Sequence, residues 1–380
     1  MTAYHGYHGD FHHSPNPDRS PSGQATQSHS DLSPATLLGR PLKKIPVAEG
    51  LESLTGATVL VTGAAGSVGS ALVARLARSC IDRVIAVDHH EASLFRLGRD
   101  LGRRAPVELR LVDVRNTDKV RRILHETRPT FVFHLAAYKH VPFGESEPDE
   151  AISVNVFGTA GVARASAEAR VRSFVYPSSD KSVNPPSLYG ATKRIAEATI
   201  QSLADEQDAM NLHVVRYVNI LGTSGSVIET FAKQVREGSP LTLTDDRMTR
   251  YWMAMEEGTS LLIHAVALPT GSCTLLDVGD PITVRAMATR VARIVRDDDS
   301  EPEIVITGSR PGERLAEELL SRSESVTRCD DDPVFRVVHS RRQECGARVE
   351  GILKELPALI SQASAAKLRA QTMAFATELQ

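Results

Sequence analysis

The chain has 380 residues, 41% of them hydrophobic and 24% charged, so it can bury one large α/β core or two modest ones. Its formal net charge of -3 gives no overall basic field for nucleic-acid binding, and no apolar stretch reaches the roughly 20 residues that span a bilayer. The four cysteines, Cys80, Cys273, Cys329 and Cys345, are scattered without metal-ligand spacing, so we expect a reduced, cytoplasmic chain without a metal site or membrane insertion.

The first 33 residues are rich in Ser, Pro, Gly, His, Asp and Gln and poor in aliphatic side chains, which predicts a disordered tail. Histidines such as His12 and His13 could bind a metal adventitiously, but we favour the interpretation as a solvated low-complexity tail. Residues 34–56 form a lead-in segment, in which 34–40 is predicted to be a short amphipathic turn and 43–55 a link to the first strand.

From residue 57 onward, apolar strands alternate with amphipathic helices. Strands are predicted at 58–62, 83–88, 107–112, 130–135, 173–176 and 212–216, and helices at 67–79, from 91, at 116–127, at 148–169 and from 189. This alternation predicts an α/β fold over residues 57–222, a Rossmann-type doubly wound parallel sheet with right-handed crossovers.

The alternation loosens after residue 222. Helices are predicted at 226–237, 256–267 and 312–320, and strands near Leu241, at 273–278 and at 303–306. We interpret residues 223–325 as a smaller substrate-binding portion with segments that return to the Rossmann domain. Residues 326–380 are predicted to be a largely helical C-terminal extension, with a break near Pro357.

A glycine-rich loop, Thr62-Gly-Ala-Ala-Gly-Ser-Val-Gly69, follows the first strand and opens a helix. Gly63 permits a tight turn, Gly66 lets the backbone approach a pyrophosphate, and Gly69 allows the helix to pack close to the sheet. The phosphates would lie at the positive end of that helix. This pattern, in its strand–loop–helix context, predicts a dinucleotide site.

Two acidic residues end the next strands and have two interpretations each. Asp88 can accept hydrogen bonds from the ribose, which favours NAD over NADP, or it can cap the following helix. Asp113 can contact the adenine edge or cap helix 116–127. The predicted cofactor-binding set is Gly63, Ala65, Gly66, Ser67, Val68, Gly69, Asp88, Asp113, Val114, Ala136, Ala137, Tyr189 and Lys193.

The candidate catalytic residues follow the fifth strand. Tyr189 and Lys193 are spaced i, i+4, which places both on one helix face, where the ammonium would lower the pKa of the phenol and make it a base. Ser179 is the hydroxyl expected to bond the reacting oxygen. Asp180 and Lys181 could carry a second proton transfer, although such residues before Asn-Pro-Pro are equally typical of a turn.

Several motifs together resemble the CapD-like polysaccharide-biosynthesis family of UDP-N-acetylglucosamine 4,6-dehydratases, which are extended short-chain dehydrogenase/reductases. They are the glycine loop, Ala136-Ala-Tyr-Lys-His-Val-Pro142, Ser179-Asp-Lys-Ser-Val-Asn-Pro185, Tyr189 to Lys193 with Glu197, Asn219-Ile-Leu-Gly222, Met248-Thr-Arg-Tyr-Trp252, Leu276-Asp-Val-Gly279 and Arg310-Pro-Gly-Glu-Arg-Leu315. The resemblance covers roughly residues 35 to 325.

The resemblance implies a dehydration reaction in which several side chains of one site transfer protons. Tyr189 takes the carbon-4 hydroxyl proton as hydride leaves for the nicotinamide, a neutral Lys181 removes the carbon-5 proton, and a protonated Asp180 releases the carbon-6 hydroxyl. These roles require a lowered pKa for the lysine and a raised pKa for the aspartate. Hydride returns to carbon 6, and carbon 5 is expected to invert.

The resemblance also implies ligands and partners. The implied substrate-binding residues are Lys139, Asn219, Arg250, Arg310 and Glu313, with the two arginines near the UDP diphosphate or uridine. Val218 stands where the family usually has glycine, which marks an altered sugar pocket. The expected cofactor is NAD or NADP, the partners are a UDP-amino-sugar and a second copy of the chain, and the pathway is deoxyamino-sugar biosynthesis.

Two other functions remain open from the sequence. A UDP-sugar 4-epimerase needs Tyr189 and Lys193 but no dehydration pair, and a nucleotide-binding regulator needs neither. The presence of both pairs favours the dehydratase.

Overall fold

The structure is a computed structural model that describes residues 32–206, 209–309, 312–328 and 332–380. All but the last two positions of the predicted disordered tail lie outside the described residues, and so do Arg310 and Cys329.

The strands, in chain order, begin with the six that alternate with helices. They are β1 Thr58–Thr62, β2 Arg83–Asp88, β3 Val107–Leu111, β4 Phe131–His134, β5 Ser173–Ser179, β6 Asn211–Tyr217, β7 Asn219–Ile220, β8 Leu241–Leu243, β9 Thr249–Arg250, β10 Trp252–Met253, β11 Cys273–Leu276, β12 Ile282–Thr283, β13 Ile304–Ile306, β14 Glu324–Arg328 and β15 Val334–His339.

The α-helices separate these strands. They are α1 Pro34–Leu38, α2 Ala48–Leu54, α3 Ser67–Leu76, α4 Glu91–Leu101, α5 Thr117–Thr127, α6 Val141–Ser146, α7 Pro148–Ile152, α8 Thr159–Glu168, α9 Leu188–Glu206, α10 Val227–Arg236, α11 Met255–Ala265, α12 Val284–Arg296, α13 Arg342–Gln362 and α14 Ala365–Glu378. A π-helix, Ser153–Gly158, joins α7 to α8, and a 3₁₀ turn, Asp180–Ser182, follows β5.

Nine strands form one sheet in the order β14-β15-β11-β6-β5-β4-β1-β2-β3. The run from β3 to β11 is parallel, and β15 and β14 are added antiparallel at one edge. The central order 3-2-1-4-5-6 is that of a dinucleotide-binding Rossmann fold. The predicted α/β fold with a doubly wound parallel sheet is therefore confirmed.

The central strands are buried on both faces, which explains why their sequences are continuous apolar runs. Every residue of β4 and β5 is buried, because helices cover both faces of the sheet. The reversal of strand order between β1 and β4 opens a crevice at their carboxyl ends, where ligands bind in such sheets. The glycine loop, Asp88 and Ser179 all lie at carboxyl ends of these strands.

A second apolar cluster lies beside the sheet. It combines α10, α12 and the short strands β8 and β13 with Leu37 and Leu38 of α1. The lead-in segment is firmly packed, because Arg40 pairs at 2.6 Å with the buried carboxylate of Glu257, which also accepts the backbone N–H of Lys43. The predicted link 43–55 contains α2, whose Gly50 leaves no room for a Cβ against the carbonyl oxygen of Ile263.

The predicted helix 312–320 is wrong. Its described residues form no regular element, and Gly312 has a left-handed φ of +81. The carbonyl oxygen of Leu315 accepts from Thr249, and that of Leu319 accepts from Arg216, so this segment gives its hydrogen bonds to neighbouring elements instead of to its own turns.

The predicted break near Pro357 is also misplaced. Helix α13 continues through Pro357, and the break comes at Ala363, before Ser364 caps α14. The apolar side of α13, with Val349, Ile352 and Leu356, packs into one buried cluster with α9 and α14. That packing outweighs the single helical hydrogen bond that proline removes.

The described part of the chain contains no helix that is long and apolar enough to cross a membrane.

Candidate active site

The glycine loop between β1 and α3 is built for close approach. Gly63 has a left-handed φ of +63, and a Cβ there would lie 2.7 Å from the backbone nitrogen of Ala136. A Cβ on Gly69 would lie 2.1 Å from the carbonyl oxygen of Gly63. The loop therefore stays tight against the sheet, and α3 begins at Ser67 with its free N–H groups beside a cavity.

We expect Gly69→Ala to destabilise the protein by about 1–3 kcal/mol, because the new methyl group meets rigid backbone and forces the helix away from the loop. Urea unfolding would measure this. Gly258→Ala is the matched control, since its Cβ would meet nothing closer than 3.5 Å. Equal stability of Gly69→Ala and wild type would contradict the proposed packing role.

Two neighbouring cavities lie along the carboxyl edge of the sheet. The smaller, of about 250 Å³, is lined by Asp88, Asp113, Val114 and Ala136, and the larger, of about 860 Å³, by Ser67, Val68, Gly69, Ser179, Lys181, Tyr189, Lys193 and Asn219. Gly63, Ala65, Gly66 and Ala137 line both. Every residue of the predicted cofactor-binding set thus lines one cavity or the other, and the volumes suit a small-molecule ligand.

Asp88 is buried and braces the glycine loop. Its Oδ2 accepts from the backbone N–H of Ala65 at 2.9 Å, and its Oδ1 accepts from that of His90 at 2.9 Å. The alternative that Asp88 caps the next helix is wrong, since the side chain of His90 holds the N-cap position of α4. Asp88 also lines the smaller cavity, and a carboxylate oxygen that accepts one hydrogen bond can accept another from a ligand hydroxyl.

Asp113 does not cap α5 either. Asn116 is the N-cap of that helix and accepts from Lys119 N. The Arg115 side chain donates to Asp113 at 2.7 Å and lowers the pKa of that carboxyl, while Arg115 also contacts Glu150. Asp113 is thus an ionised residue at the rim of the smaller cavity.

We expect Asp88→Ala to shift binding from NAD towards NADP by about tenfold or more, because it removes a carboxylate that would repel a 2′-phosphate. The ratio of the two dissociation constants, measured by calorimetry, cancels any general loosening of the loop. Asp100→Ala, at an exposed site on α4, should leave the ratio unchanged. An unchanged ratio in Asp88→Ala would contradict the ribose assignment.

The carboxyl end of β5 brings three polar side chains together. Ser179 Oγ donates to Asp180 Oδ1 at 3.0 Å, and Lys181 Nζ donates to the same oxygen at 3.1 Å. Asp180 is fully buried, and its second oxygen has no hydrogen-bond partner within the described residues. Lys181 reaches into the larger cavity and also donates to Asn219 Oδ1 at 3.3 Å. A buried acid therefore lies in direct contact with an amine that lines the larger cavity.

Tyr189 and Lys193 both line the larger cavity, but the lysine does not act on the phenol as predicted. Lys193 Nζ donates to the carbonyl oxygen of Pro177 at 2.6 Å and lies over the Tyr176 ring. Burial raises the pKa of Tyr189, and the groups that oppose the rise are Lys181 and a hydrogen bond with Ser179. The prediction that Lys193 lowers this pKa is wrong for this state of the site.

Lys193 itself is buried, and that burial lowers its pKa to about 7 against the opposing charge of Glu197. Among the described residues of the site, Lys193 is therefore a lysine whose pKa burial brings close to neutral pH.

The predicted lowered pKa of Lys181 is also wrong for this state. Burial favours the neutral amine, but the carboxylates of Asp180 and Glu317 outweigh burial and raise the pKa. Glu317 Oε1 lies 3.7 Å from Lys181 Nζ and 3.7 Å from Arg250 Nε, and its side chain is 4% exposed. The resting site is therefore an ion pair with a second carboxylate behind the lysine.

Only some of the predicted substrate-binding residues line the larger cavity. Lys139 and Asn219 line the larger cavity, where Lys139 donates to the carbonyl oxygen of Ser224 at 2.8 Å. Arg250 lies next to the site through Glu317, and Glu313 lies on the irregular segment after β13. Arg310 is outside the described residues.

Sequence reasoning missed two supports of the site. Asn155, in the π-helix, accepts from Tyr138 N at 2.8 Å and donates to Tyr138 O and to Thr192, so it fixes the loop after β4 against α9. An insertion of π geometry beside a site is typical of functional helices, but no local pattern predicts it. Glu317 could not be found either, because a lone glutamate carries no spacing signal.

Comparisons with known proteins agree with this architecture. A family model described as "Polysaccharide biosynthesis protein" matches residues 59–339. The capsular polysaccharide biosynthesis protein CapD of Staphylococcus aureus is 37% identical over 324 residues, which cover 83% of this chain and 54% of CapD. The chain thus spans about half the length of that relative.

Two further similarities come from an enzyme and a solved structure. The UDP-glucose 4-epimerase of Rickettsia rickettsii is 30% identical over 282 residues, which cover 72% of this chain and 80% of the epimerase. The X-ray structure of Pen from Bacillus thuringiensis superposes with a TM-score of 0.70 at 28% identity, over 76% of this chain and 89% of Pen.

Proposed function

Because this chain belongs to the polysaccharide biosynthesis protein family, within the extended short-chain dehydrogenases/reductases, we propose that it is a nicotinamide-dependent 4,6-dehydratase of a UDP-linked N-acetylhexosamine, inverting at carbon 5. The observation that carries the proposal is the hydrogen-bonded pair Asp180–Lys181, in which the buried acid contacts a lysine that lines the same cavity as Ser179, Tyr189 and Lys193. An epimerase needs only the last three of these groups.

The residues present fit a nicotinamide dinucleotide. The close packing at Gly63 and Gly69 leaves no room for a side chain, so the glycine loop stays compact. The carboxylate of Asp88 borders the smaller cavity. Asp88 and the α3 N-terminus would hold the ribose and the pyrophosphate, while Tyr189 and Lys193 would face the reactive ring. Bound there, the nicotinamide supplies a two-electron acceptor that is regenerated in the same turnover, so no external oxidant is consumed.

The chain's own residues divide the proton transfers. Tyr189 takes the carbon-4 hydroxyl proton while Ser179 holds that oxygen. Lys181 removes the carbon-5 proton, which the neighbouring ketone acidifies. Asp180 protonates the carbon-6 hydroxyl, which departs as water. Hydride then returns to carbon 6 and a proton to carbon 5, so the sugar has lost one water molecule overall and keeps its oxidation state.

The direct contact of Asp180 and Lys181 explains how the resting ion pair reaches the required state. One proton moved across their 3.1 Å hydrogen bond onto Asp180 Oδ1 yields a neutral amine and a carboxylic acid at once. Substrate that fills the cavity expels water, and burial is the influence that favours the neutral amine.

The diphosphate of the substrate is proposed to bind near Arg250. Its guanidinium is only 11% exposed, and its Nη1 is tied to the carbonyl oxygens of Thr249 and Leu315. Those bonds orient the group, and its contact with Glu317 links it to Lys181. Binding of an anion at Arg250 would therefore compete with Glu317 for the arginine.

A UDP-sugar 4-epimerase is the second candidate. It is favoured by the similarity to the Rickettsia enzyme, of which this chain covers 80%. Tyr189, Ser179 and Lys193 suffice for that reaction, in which Asp180 and Lys181 would have no chemical role.

The deciding experiment is incubation of the purified protein with UDP-N-acetylglucosamine in heavy water, with the products followed by NMR. A 4-keto-6-deoxy sugar with deuterium at carbon 5 is the expected result, and the coupling constants report retention or inversion there. UDP-N-acetylgalactosamine without deuterium at carbon 5 would establish the epimerase instead.

A further inference from the structure

Helix α14 and the two residues after it lie directly behind the reacting groups. Leu368, Phe375 and Leu379 are buried in one cluster with Ala191 and Ile195 of α9. Helix α9 also carries Tyr189 and Lys193. The end of the chain described here is therefore docked on the element that bears the redox pair.

The side chain of Gln380 clasps the loop that leaves the dehydration pair. Its Nε2 donates to the carbonyl oxygen of Ser182 at 3.0 Å, and its Oε1 accepts from the backbone N–H of Asn184 at 3.1 Å. Both ends of one planar amide are used on residues one and three positions after Lys181. The clasp thus fixes the path of the backbone immediately after the proposed base.

Asn184 has an unusual backbone conformation that neighbouring segments hold in place. Its φ is +40, in the left-handed region that Asn enters more readily than other residues with a side chain. On the side opposite Gln380, the Arg314 side chain donates to the Asn184 carbonyl oxygen, and Asn184 Nδ2 donates to Glu318. Such a conformation persists only where its surroundings over-determine it, and here two separate segments do so.

A second link runs from α14 to the start of α9. Arg369 Nη1 pairs with Glu145 Oε2 at 2.9 Å, and Glu145 Oε1 accepts from the backbone N–H of Leu188 at 2.8 Å. Leu188 immediately precedes Tyr189. The C-terminal segment therefore contacts the backbone after Lys181 directly, through Gln380, and the backbone before Tyr189 indirectly, through the Arg369–Glu145 pair.

We propose that α14 with Gln380 is a positioning element that holds the Asp180–Lys181 loop in register with Tyr189, and that Gln380 is its positioning residue for the dehydration step. The inference rests on the proposed function for the identity of that step. The clasp itself depends only on the four backbone and side-chain atoms named above.

The test compares Gln380→Ala and the similarly sized Gln380→Met, which both lose the clasp, with Gln371→Ala. Gln371 lies on the same helix and makes no side-chain hydrogen bond among the described residues, so it is a matched control. We expect both Gln380 variants to lower kcat for dehydration by about tenfold to a hundredfold with KM little changed, because misplacement of a catalytic group by about 1 Å has that effect. Oxidation at carbon 4, followed in a single turnover, should slow far less.

Hydrogen exchange gives a readout independent of the reaction. In Gln380→Ala the amides of residues 182–184 should exchange at least about tenfold faster, while Gln371→Ala matches wild type. Unchanged exchange would overturn the clasp even if the wild type dehydrates. If Gln380→Ala slows dehydration and oxidation at carbon 4 equally, or if Gln371→Ala loses as much kcat, Gln380 has only a general structural role and the proposal is overturned. If the wild-type protein does not dehydrate the substrate, the proposed function fails, and amide hydrogen exchange alone decides whether Gln380 holds the backbone after Lys181.

Discussion

Replacement of Lys181 by alanine should slow dehydration strongly, while reversible oxidation at carbon 4 of the sugar, followed by the absorbance of the reduced nicotinamide, survives. Lys181 Nζ lies in the larger cavity and in contact with Asp180, whereas Tyr189 and Ser179 keep their own contact without it. A positioned general base is worth about 10²–10⁴ in rate, so we expect kcat for the 4-keto-6-deoxy product to fall by about that factor. NMR in heavy water measures product and carbon-5 deuterium together.

The matched control is Lys233→Ala, which removes an exposed lysine on α10. It should leave both reactions at the wild-type rate. If Lys181→Ala retains dehydration within about threefold of wild type, another group removes the carbon-5 proton and our assignment is wrong. If both dehydration and oxidation at carbon 4 disappear, Lys181 acts on the redox step, as its influence on the pKa of Tyr189 would allow.

The contrast between the two lysines shows what the sequence could predict. The i, i+4 spacing of Tyr189 and Lys193 and their place after β5 predicted that both reach one cavity, because helix geometry and sheet order are local rules. It could not predict that Lys193 turns to Pro177 or that Lys181 is the ammonium that acts on Tyr189. Those outcomes depend on rotamers and on burial, which are properties of the assembled site.

The same division applies to the fold. Apolar runs and glycine turns predicted strands β1 to β6 and most of the helices between them, since each signal lies within the element itself, but not α6 or the π-helix that interrupts the predicted helix 148–169. The helix prediction for residues 312–320 was wrong because the carbonyl groups of this segment accept hydrogen bonds from β9 and from Arg216. Gln380 and Glu317 act on residues roughly 200 and 136 positions away in the chain, distances at which spacing carries no information.

Glu197→Ala should destabilise the protein by about 3–5 kcal/mol, measured by urea unfolding. Glu197 is fully buried and accepts from Arg216 at 2.6 Å and from Arg194 at 3.0 Å, while Glu324 contacts both arginines. The cluster holds two positive and two negative groups, so removal of one carboxylate leaves an uncompensated buried charge. Glu237→Ala, in an exposed pair with Lys233, is the control and should cost under about 0.5 kcal/mol.

The same cluster predicts how stability depends on pH. Despite burial, which opposes ionisation, the arginines lower the pKa of Glu197 and bring that of Glu324 to about 2. A carboxyl whose pKa is depressed on folding stabilises the protein above its ordinary value of 4.5 and loses that contribution as the pH falls towards the folded value. Wild-type stability should therefore fall between about pH 4.5 and 2, and Glu197→Ala should lose part of that slope.

The position of this cluster ties the stability result to the site. Ser182, the residue after Lys181, donates to Glu197 Oε2 at 3.1 Å, and Arg194 directly follows Lys193. Glu197→Gln keeps the shape of the side chain and removes its charge, so it tests the two roles in a chain that folds. If that variant is as stable as wild type, the buried charges are not what hold the cluster together. If it is destabilised and dehydrates slowly even where fully folded, the cluster also supports the backbone beside both catalytic pairs.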